Sequence, residues 1–197
     1  MHTLISLSLF PLHTVLFPGS ILQLKIFEQR YLNLVKTCMK NKHGFAVVLI
    51  NDGNEVNDTP TIHRIGAYVE ITDFETLENG LLGITIMAKH KVMIDNTRAQ
   101  HDGLLIGDVQ TITDEGTSTP EDIEKYHHMI AMLETLVEHP LLKVHYSNIN
   151  YQSLPEISYR LSEFLPTSNI NKQALLEITR VEDRLDKIDS LINQLQT

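Results

Sequence analysis

Gly83-Ile84-Thr85-Ile86-Met87-Ala88-Lys89-His90-Lys91-Val92-Met93-Ile94 sets Ile84, Ile86, Ala88, His90, Val92 and Ile94 against Thr85, Met87, Lys89, Lys91 and Met93 at every second position. A period of two sets Ile84, Ile86, Ala88, His90, Val92 and Ile94 on one face of a strand. The same alternation recurs at Ile5, Leu7 and Leu9, at Leu22, Leu24 and Ile26, and at Ala67, Val69 and Ile71. Asn51-Asp52-Gly53, Asn79-Gly80 and Asp102-Gly103 supply the turn chemistry between such runs. Residues 77–82 read as a tight hairpin. In residues 104–112, Leu104 and Ile106 share one parity and Val109 has the other, so a β-bulge is expected at Gly107. Six or seven short strands with tight turns predict a small barrel or curled sheet.

Two regions break this period. Tyr31, Leu34, Val35 and Cys38 follow i, i+3, i+4, i+7 spacing, which predicts one inserted helix over residues 28–40. After the polar stretch 113–120 the period becomes 3.6 for the rest of the chain. Thr119 and Pro120 open a helix whose stripe is Ile123, Tyr126, Ile130, Leu133 and Val137, with Pro140 as its stop. Residues 155–165 read as another helix, and residues 172–196 as one or two more. The expected class is α+β, with a β-rich domain over 1–115 and an α-helical bundle over 116–197.

Composition narrows function. The chain has 197 residues, 42% hydrophobic and 21% charged, which suits a globular protein with a real core. A formal charge of −9 argues against nucleic acid and anionic membrane as partners, since both demand dense positive charge. The longest apolar run, residues 45–50, is far short of the ~20 residues of a membrane-spanning helix. The first ten residues carry no Lys or Arg and alternate Leu with Ser, so they read as a strand and not as a signal peptide. One cysteine, Cys38, excludes an internal disulfide and fits a reducing cytoplasm.

The stretch Leu9-Phe10-Pro11-Leu12-His13-Thr14-Val15-Leu16-Phe17-Pro18-Gly19, with Leu22-Gln23-Leu24-Lys25-Ile26-Phe27-Glu28-Gln29-Arg30-Tyr31, closely resembles the amino-terminal domain of Lon-type ATP-dependent proteases. The resemblance continues through Gly44-Phe45-Ala46-Val47-Val48-Leu49, Ile65-Gly66-Ala67-Tyr68-Val69-Glu70-Ile71 and Asn79-Gly80-Leu81-Leu82-Gly83-Ile84-Thr85. It ends at Lys172-Gln173-Ala174-Leu175-Leu176-Glu177 and Arg184-Leu185. The chain departs from the family where Lys91-Val92 replaces a common Arg-Phe pair and Ala88 a common Gly. The resemblance implies a PUA-like small barrel followed by helices, and recognition of unfolded or extended polypeptides as a stand-alone, non-catalytic module or an accessory to proteolysis. No Gly-x-x-x-x-Gly-Lys-[Ser/Thr] phosphate loop stands in these residues, so no ATP-hydrolysing machinery and no enzyme activity are expected.

The candidate peptide-binding residues are Leu12, Val15, Leu16, Phe17, Phe27 and Tyr31. Pro11, Pro18 and Gly19 stiffen the loop that carries most of them. Leu16 and Phe17, which precede Pro18-Gly19, are the ones expected to be exposed. The competing reading buries these side chains in the core. Glu28 and Arg30 invite a catalytic reading, against which stands the favoured structural one, with Glu28 in the helix's first turn and Arg30 bracing a loop by charge-assisted hydrogen bonds. Glu124, His127 and His128 suggest a metal- or carboxylate-dependent enzyme as the alternative function. The second motif such a site needs is missing from the sequence, so no metal and no cofactor are expected. Self-association through exposed apolar surface is a further expectation.

Overall fold

A computed structural model describes residues 4–55, 60–78, 80–139, 142, 146 and 148–195. The chain divides into two compact units, Met1–Ile112 and Thr113–Thr197. The fold is mixed α+β.

The first unit holds β1 (Ile5–Leu12), β2 (Ile21–Ile26), α1 (Gln29–Asn41), β3 (Phe45–Asp52), β4 (Thr61–Thr76), β5 (Leu82–Ala99) and β6 (Leu105–Ile112). They form one six-stranded sheet in the order β2-β5-β4-β3-β1-β6, and β6 pairs with β5 as well. The single parallel pair is β1 with β3, because α1 lies between them in the chain and provides the crossover. The long β5 joins the two ends of the sheet: residues 82–93 pair with β4 and residues 91–99 with β6. The expected barrel or curled sheet is thus a curled sheet and not a closed barrel of all six strands. The reason is β2, which pairs with β5 alone and stands outside the ring of pairings.

Where β1, β3 and β6 lie, both faces of the sheet are buried. Phe10, Phe45, Val47, Ala67, Val69, Ile84 and Ile86 share one apolar cluster with α1. Leu9, Ala46, Val48, Val92, Ile94 and Val109 form a second. Successive residues of β1 and β3 alternate between the two, which explains the unbroken apolar run at 45–50. The expected single face of β5 divides between them. A register shift opposite Tyr68 and Val69 makes Lys89 an extra residue. The bulge reverses the phase, so Ile84, Ile86 and Ala88 enter the first cluster while Val92 and Ile94 enter the second. The same reversal turns Lys91 inward opposite Ala67, where it is 1% exposed.

The expected bulge at Gly107 is also corrected. The β1–β6 register runs evenly through Gly107, and the shift lies on β5 between Ile94 and Asn96. The parity change of Leu104, Ile106 and Val109 arises because β6 is buried on both sides. Gly107 is small for packing: a Cβ there would come within 3.0 Å of Leu9 and Ile94. Asn79 of the expected hairpin lies outside the described residues, while Gly80 takes φ +77°.

The second unit contains α2 (Pro120–Lys125), α3 (His127–Val137), α4 (Leu154–Phe164), α5 (Asn169–Glu177) and α6 (Val181–Leu195) among the described residues. Thr119 and Asp122 form a capping box at α2, and Ser153 and Ser168 cap α4 and α5. The predicted long helix breaks at Tyr126, whose backbone leaves the helical region while its hydroxyl meets Asp186 at 3.1 Å. The expected stop, Pro140, lies outside the described residues. α4 contacts α3, α5 and α6.

Candidate functional site

Leu12, Val15, Leu16, Phe17 and Tyr31 are buried, and Phe17 has no exposed surface. The expectation that Leu16 and Phe17 stand out from the loop is therefore corrected. The cause is the turn Phe17-Pro18-Gly19-Ser20. Its ends close on each other, Phe17 N–H donating to Ser20 Oγ and Ser20 N–H to Phe17 O, with Gly19 at φ +86°. The turn is then docked on β5: Gly19 N–H donates to Ala88 O, and Ala88 N–H to Ser20 O. Pinned at both ends, the turn points Phe17 inward. Tyr31 stacks on Phe10 with ring centroids 4.0 Å apart, and burial pushes its hydroxyl pKa up to about 12.

Arg30 is a brace, as its chemistry suggests. Its guanidinium pairs with Glu28 at 3.0 Å, donates to the carbonyls of Gly103 and Glu55, and lies 4.7 Å over the Tyr31 ring. Of the six candidate residues, Phe27 alone is exposed, at 56%.

The exposed apolar surface with clefts beside it lies elsewhere, on β4. The β3–β4 ladder stops at the pair Phe45–Val69, while β4 runs on to Thr76. Beyond Val69 this strand pairs with β5, and among the described residues no strand occupies its other edge. The β4–β5 register skips Thr72, whose hydroxyl donates to Thr85 O. That extra residue moves Phe74 onto the core-facing parity. Phe74 sits opposite Ile84, which sits opposite Leu24, so the three make one apolar row across β4, β5 and β2. Ile84 is buried, but Phe74 is 56% exposed at the row's open end.

Two clefts share Phe74 and Asp73. One, of about 420 Å³, lies between β4 and the end of α1 and is lined by Met39, Lys42, His43 and Ile71 among others. The other, of about 190 Å³, is lined by Leu24, Leu77 and Ile84. Sequence reading passed over Phe74, but a signal was present. The alternation Ala67, Val69, Ile71 calls for an apolar residue at 73, and the aromatic arrives one place late, which is the mark of a bulge.

The remaining candidates carry no convergent chemistry. His127 Nδ1 lies 2.8 Å from the Glu124 backbone oxygen, and His128 lies 3.4 Å from Asp189. No three His, Cys, Asp or Glu groups stand together as metal ligands among the described residues. His90 stacks on Tyr68 at 4.8 Å, and burial lowers its pKa. Cys38 is buried in the first cluster, and burial pushes its thiol up to about 11. No helix among the described residues is long and apolar enough to cross a membrane.

Comparison with known proteins gives a family match over residues 6–194, to the ATP-dependent protease La (LON) substrate-binding domain. A Lon protease of Orientia tsutsugamushi (strain Ikeda) is 28% identical over 193 residues, which is 92% of this chain and 24% of that protein. This chain therefore spans about a quarter of the length of that curated relative. Among solved structures, a Lon N-terminal domain protein from Xanthomonas campestris superposes with a TM-score of 0.77 at 28% identity, covering 94% of this chain and 98% of the other. The N-terminal domain of a Mycobacterium avium complex Lon protease gives 0.67 at 13% identity, covering 95% and 97%, and so shares the fold.

Proposed function

This chain belongs to the LON substrate-binding domain family, and from that premise we propose that it binds unfolded or extended polypeptides without transforming them. The observation that carries this reading is Phe74, an exposed aromatic ring at the open end of a core row, with a cleft on either side. Concave surface lined by apolar side chains with a few polar groups beside them is where ligands are taken up.

The module acts as an adaptor or accessory to proteolysis in the cytoplasm, where its single buried thiol needs no oxidising partner. The 197 residues contain no phosphate-binding loop, so ATP-driven work falls to another polypeptide or another segment. The buried residues Leu12, Val15, Leu16, Phe17 and Tyr31 serve the binding surface as its scaffold, and Phe27 keeps its ring exposed. The metal-dependent alternative has no observation in its favour, because the Glu124–His128 groups turn to backbone and to Asp189.

The test is fluorescence anisotropy with a reduced, carboxymethylated protein that cannot refold, and its native disulfide-bonded form as control. Saturable binding of the unfolded form alone, with no cleavage, is expected. No binding of the unfolded form at high micromolar concentration refutes the reading.

A further inference from the structure

We infer that the cleft between α1 and residues 70–76 of β4 takes one extended polypeptide segment as an added strand, in line with β3, and selects segments that set a basic residue beside an apolar one. This rests on the polypeptide-binding reading above and specifies its geometry.

The slot exists because β3 starts late. A Cβ on Gly44 would lie 1.8 Å from Val69 O, so the backbones touch there and the position takes no side chain. Immediately before it the chain turns away into α1 through Lys42, in the left-handed region at φ 54°. A strand continuing β3 backward would pair with Glu70 onward; in its place lies the cleft of about 420 Å³. A strand paired on one side turns the N–H and C=O groups of alternate residues toward the other. An extended backbone satisfies that row, and a compact apolar ligand leaves it unpaired. The side-chain contacts come from Met39 and Phe74, 42% and 56% exposed, with Ile71 half-buried between β4 and the core.

Charge sets the preference. Residues 70–78 contain Glu70, Asp73, Glu75 and Glu78 and no cation. Glu70 is paired with Lys89 at 3.4 Å. Asp73 accepts the Phe74 N–H at 2.8 Å, and among the described residues neither Asp73 nor Glu75 is in an ion pair. Asp73 shares this cleft with Lys42 and His43, which follow α1, while Glu75 lines the neighbouring cleft and Lys25 lies two strands from it, across Gly83. A segment with its apolar residue on Phe74 and its basic residue toward Asp73 meets both surfaces. The bulge at Thr72 and these carboxylates blunt the edge against indiscriminate pairing and leave it open to a chain that brings cations.

The experiment uses fluorescein-labelled peptides of alternating Leu and Thr with a central Lys, the same peptide with Glu, and the Lys peptide N-methylated on every second backbone nitrogen in either register. Each is titrated into the full chain, with the carboxymethylated protein run alongside. The Lys peptide is expected to bind about tenfold more tightly than the Glu peptide, and one N-methyl register is expected to abolish binding while the other is tolerated. Phe74→Ser and Met39→Ser weaken it about tenfold, and Asp73→Lys reverses the Lys-over-Glu preference. All three positions are at the surface of the cleft, and an unchanged urea midpoint verifies the fold. Equal tolerance of both N-methyl registers overturns strand addition. Unfolded protein bound with unchanged affinity by Phe74→Ser overturns this slot while leaving the polypeptide-binding reading intact. Absence of all binding overturns both. A concentration-dependent dimer lost in Phe74→Ser, without peptide binding, assigns the slot to a second copy and also overturns the inference.

Discussion

The Asp114 carboxylate meets the guanidinium of Arg184, a side chain with no exposed surface, at 2.6 Å. The same guanidinium donates to Leu175 O, Ile178 O and Ser158 Oγ and lies 4.4 Å over the Tyr159 ring. Tyr159 in turn donates to Asp114 at 2.5 Å. The arginine thus ties the start of the second unit to α4 and to the bend between α5 and α6. Arg184→Met removes the buried guanidinium that meets this carboxylate and is expected to destabilise this unit by about 3–5 kcal/mol. Adding Asp114→Asn to it is expected to recover part of the loss, since a buried charge goes too. Urea denaturation followed by helical circular dichroism checks both; equal stability of the single variant and wild type would show that the pair does not matter.

Phe17 separates a binding residue from a core residue. Its side chain is fully buried, so Phe17→Ala is expected to cost about 3–5 kcal/mol through the cavity it leaves. Phe17→Leu keeps most of the volume and is expected to cost far less while binding unfolded protein as wild type does. Thermal unfolding and anisotropy, measured on both variants, decide the matter. A Phe17→Leu protein that stays folded but loses binding would return the ring to the contact surface.

Much of the sheet was legible in the alternation, and α1 in the spacing of Tyr31, Leu34, Val35 and Cys38. What alternation conceals is which of two buried faces a residue enters. Ile84 and Ile94 look alike in sequence, yet the extra residue at Lys89 sends them to opposite sides. The parity change near Gly107 was visible, but its bulge sits across the ladder on β5, and a single strand's pattern carries no information about its partner. The inward turn of Phe17 depends on hydrogen bonds to Ala88, about seventy residues away in sequence, and no local pattern announces them. Phe74 was marked by its late arrival after Ile71, although the cleft beside it depends on where α1 ends.

Buried acids weaken the fold at alkaline pH, Cys38 and Tyr31 in the first unit and Tyr159 in the second among them. Cys38 rises from 9.0 to about 11 and Tyr31 from 10.0 to about 12, in both cases through burial. Raised folded-state values mean that their contribution to stability is whole below the unfolded values and lost as pH climbs toward the folded ones. Stability is therefore expected to fall between about pH 9 and pH 12, with Cys38→Ala removing the earlier part of the fall. Below that window the thiol stays protonated and buried, so native protein at pH 8 is expected to react with a disulfide reagent far more slowly than the unfolded chain. Prompt labelling at pH 8 would contradict the burial of Cys38.

His90 works at the other end of the scale. Burial against Tyr68 lowers its pKa below the usual 6.5. A depressed folded value means stability that is present above pH 6.5 and lost as pH falls through the folded pKa. Unfolding free energies measured from pH 7 downward are expected to decline more steeply for wild type than for His90→Phe, which keeps the stacked ring without the proton. Parallel curves for the two proteins would remove His90 from the acid response.

Glycine positions test the late start of β3 directly. At Gly44 a methyl group would meet backbone, 1.8 Å from Val69 O, and backbone cannot swing aside as a side-chain tip can. Gly66→Ala meets Val47 O at 2.4 Å in the middle of the same ladder. Both are expected to cost about 1–3 kcal/mol or more by overpacking. Gly80→Ala has open space within 4 Å and is penalised only by its φ of +77°, about 1 kcal/mol. The two ladder variants should differ in reach. Gly66→Ala loosens the centre of the β3–β4 pairing and lowers the whole unfolding midpoint. Gly44→Ala acts at the ladder's last rung, so its clearest mark is faster amide exchange at Phe45 and Val69. If Gly44→Ala exchanged like wild type at those amides, the backbones would not be in contact there, and the reason for the open edge of β4 would be lost with it.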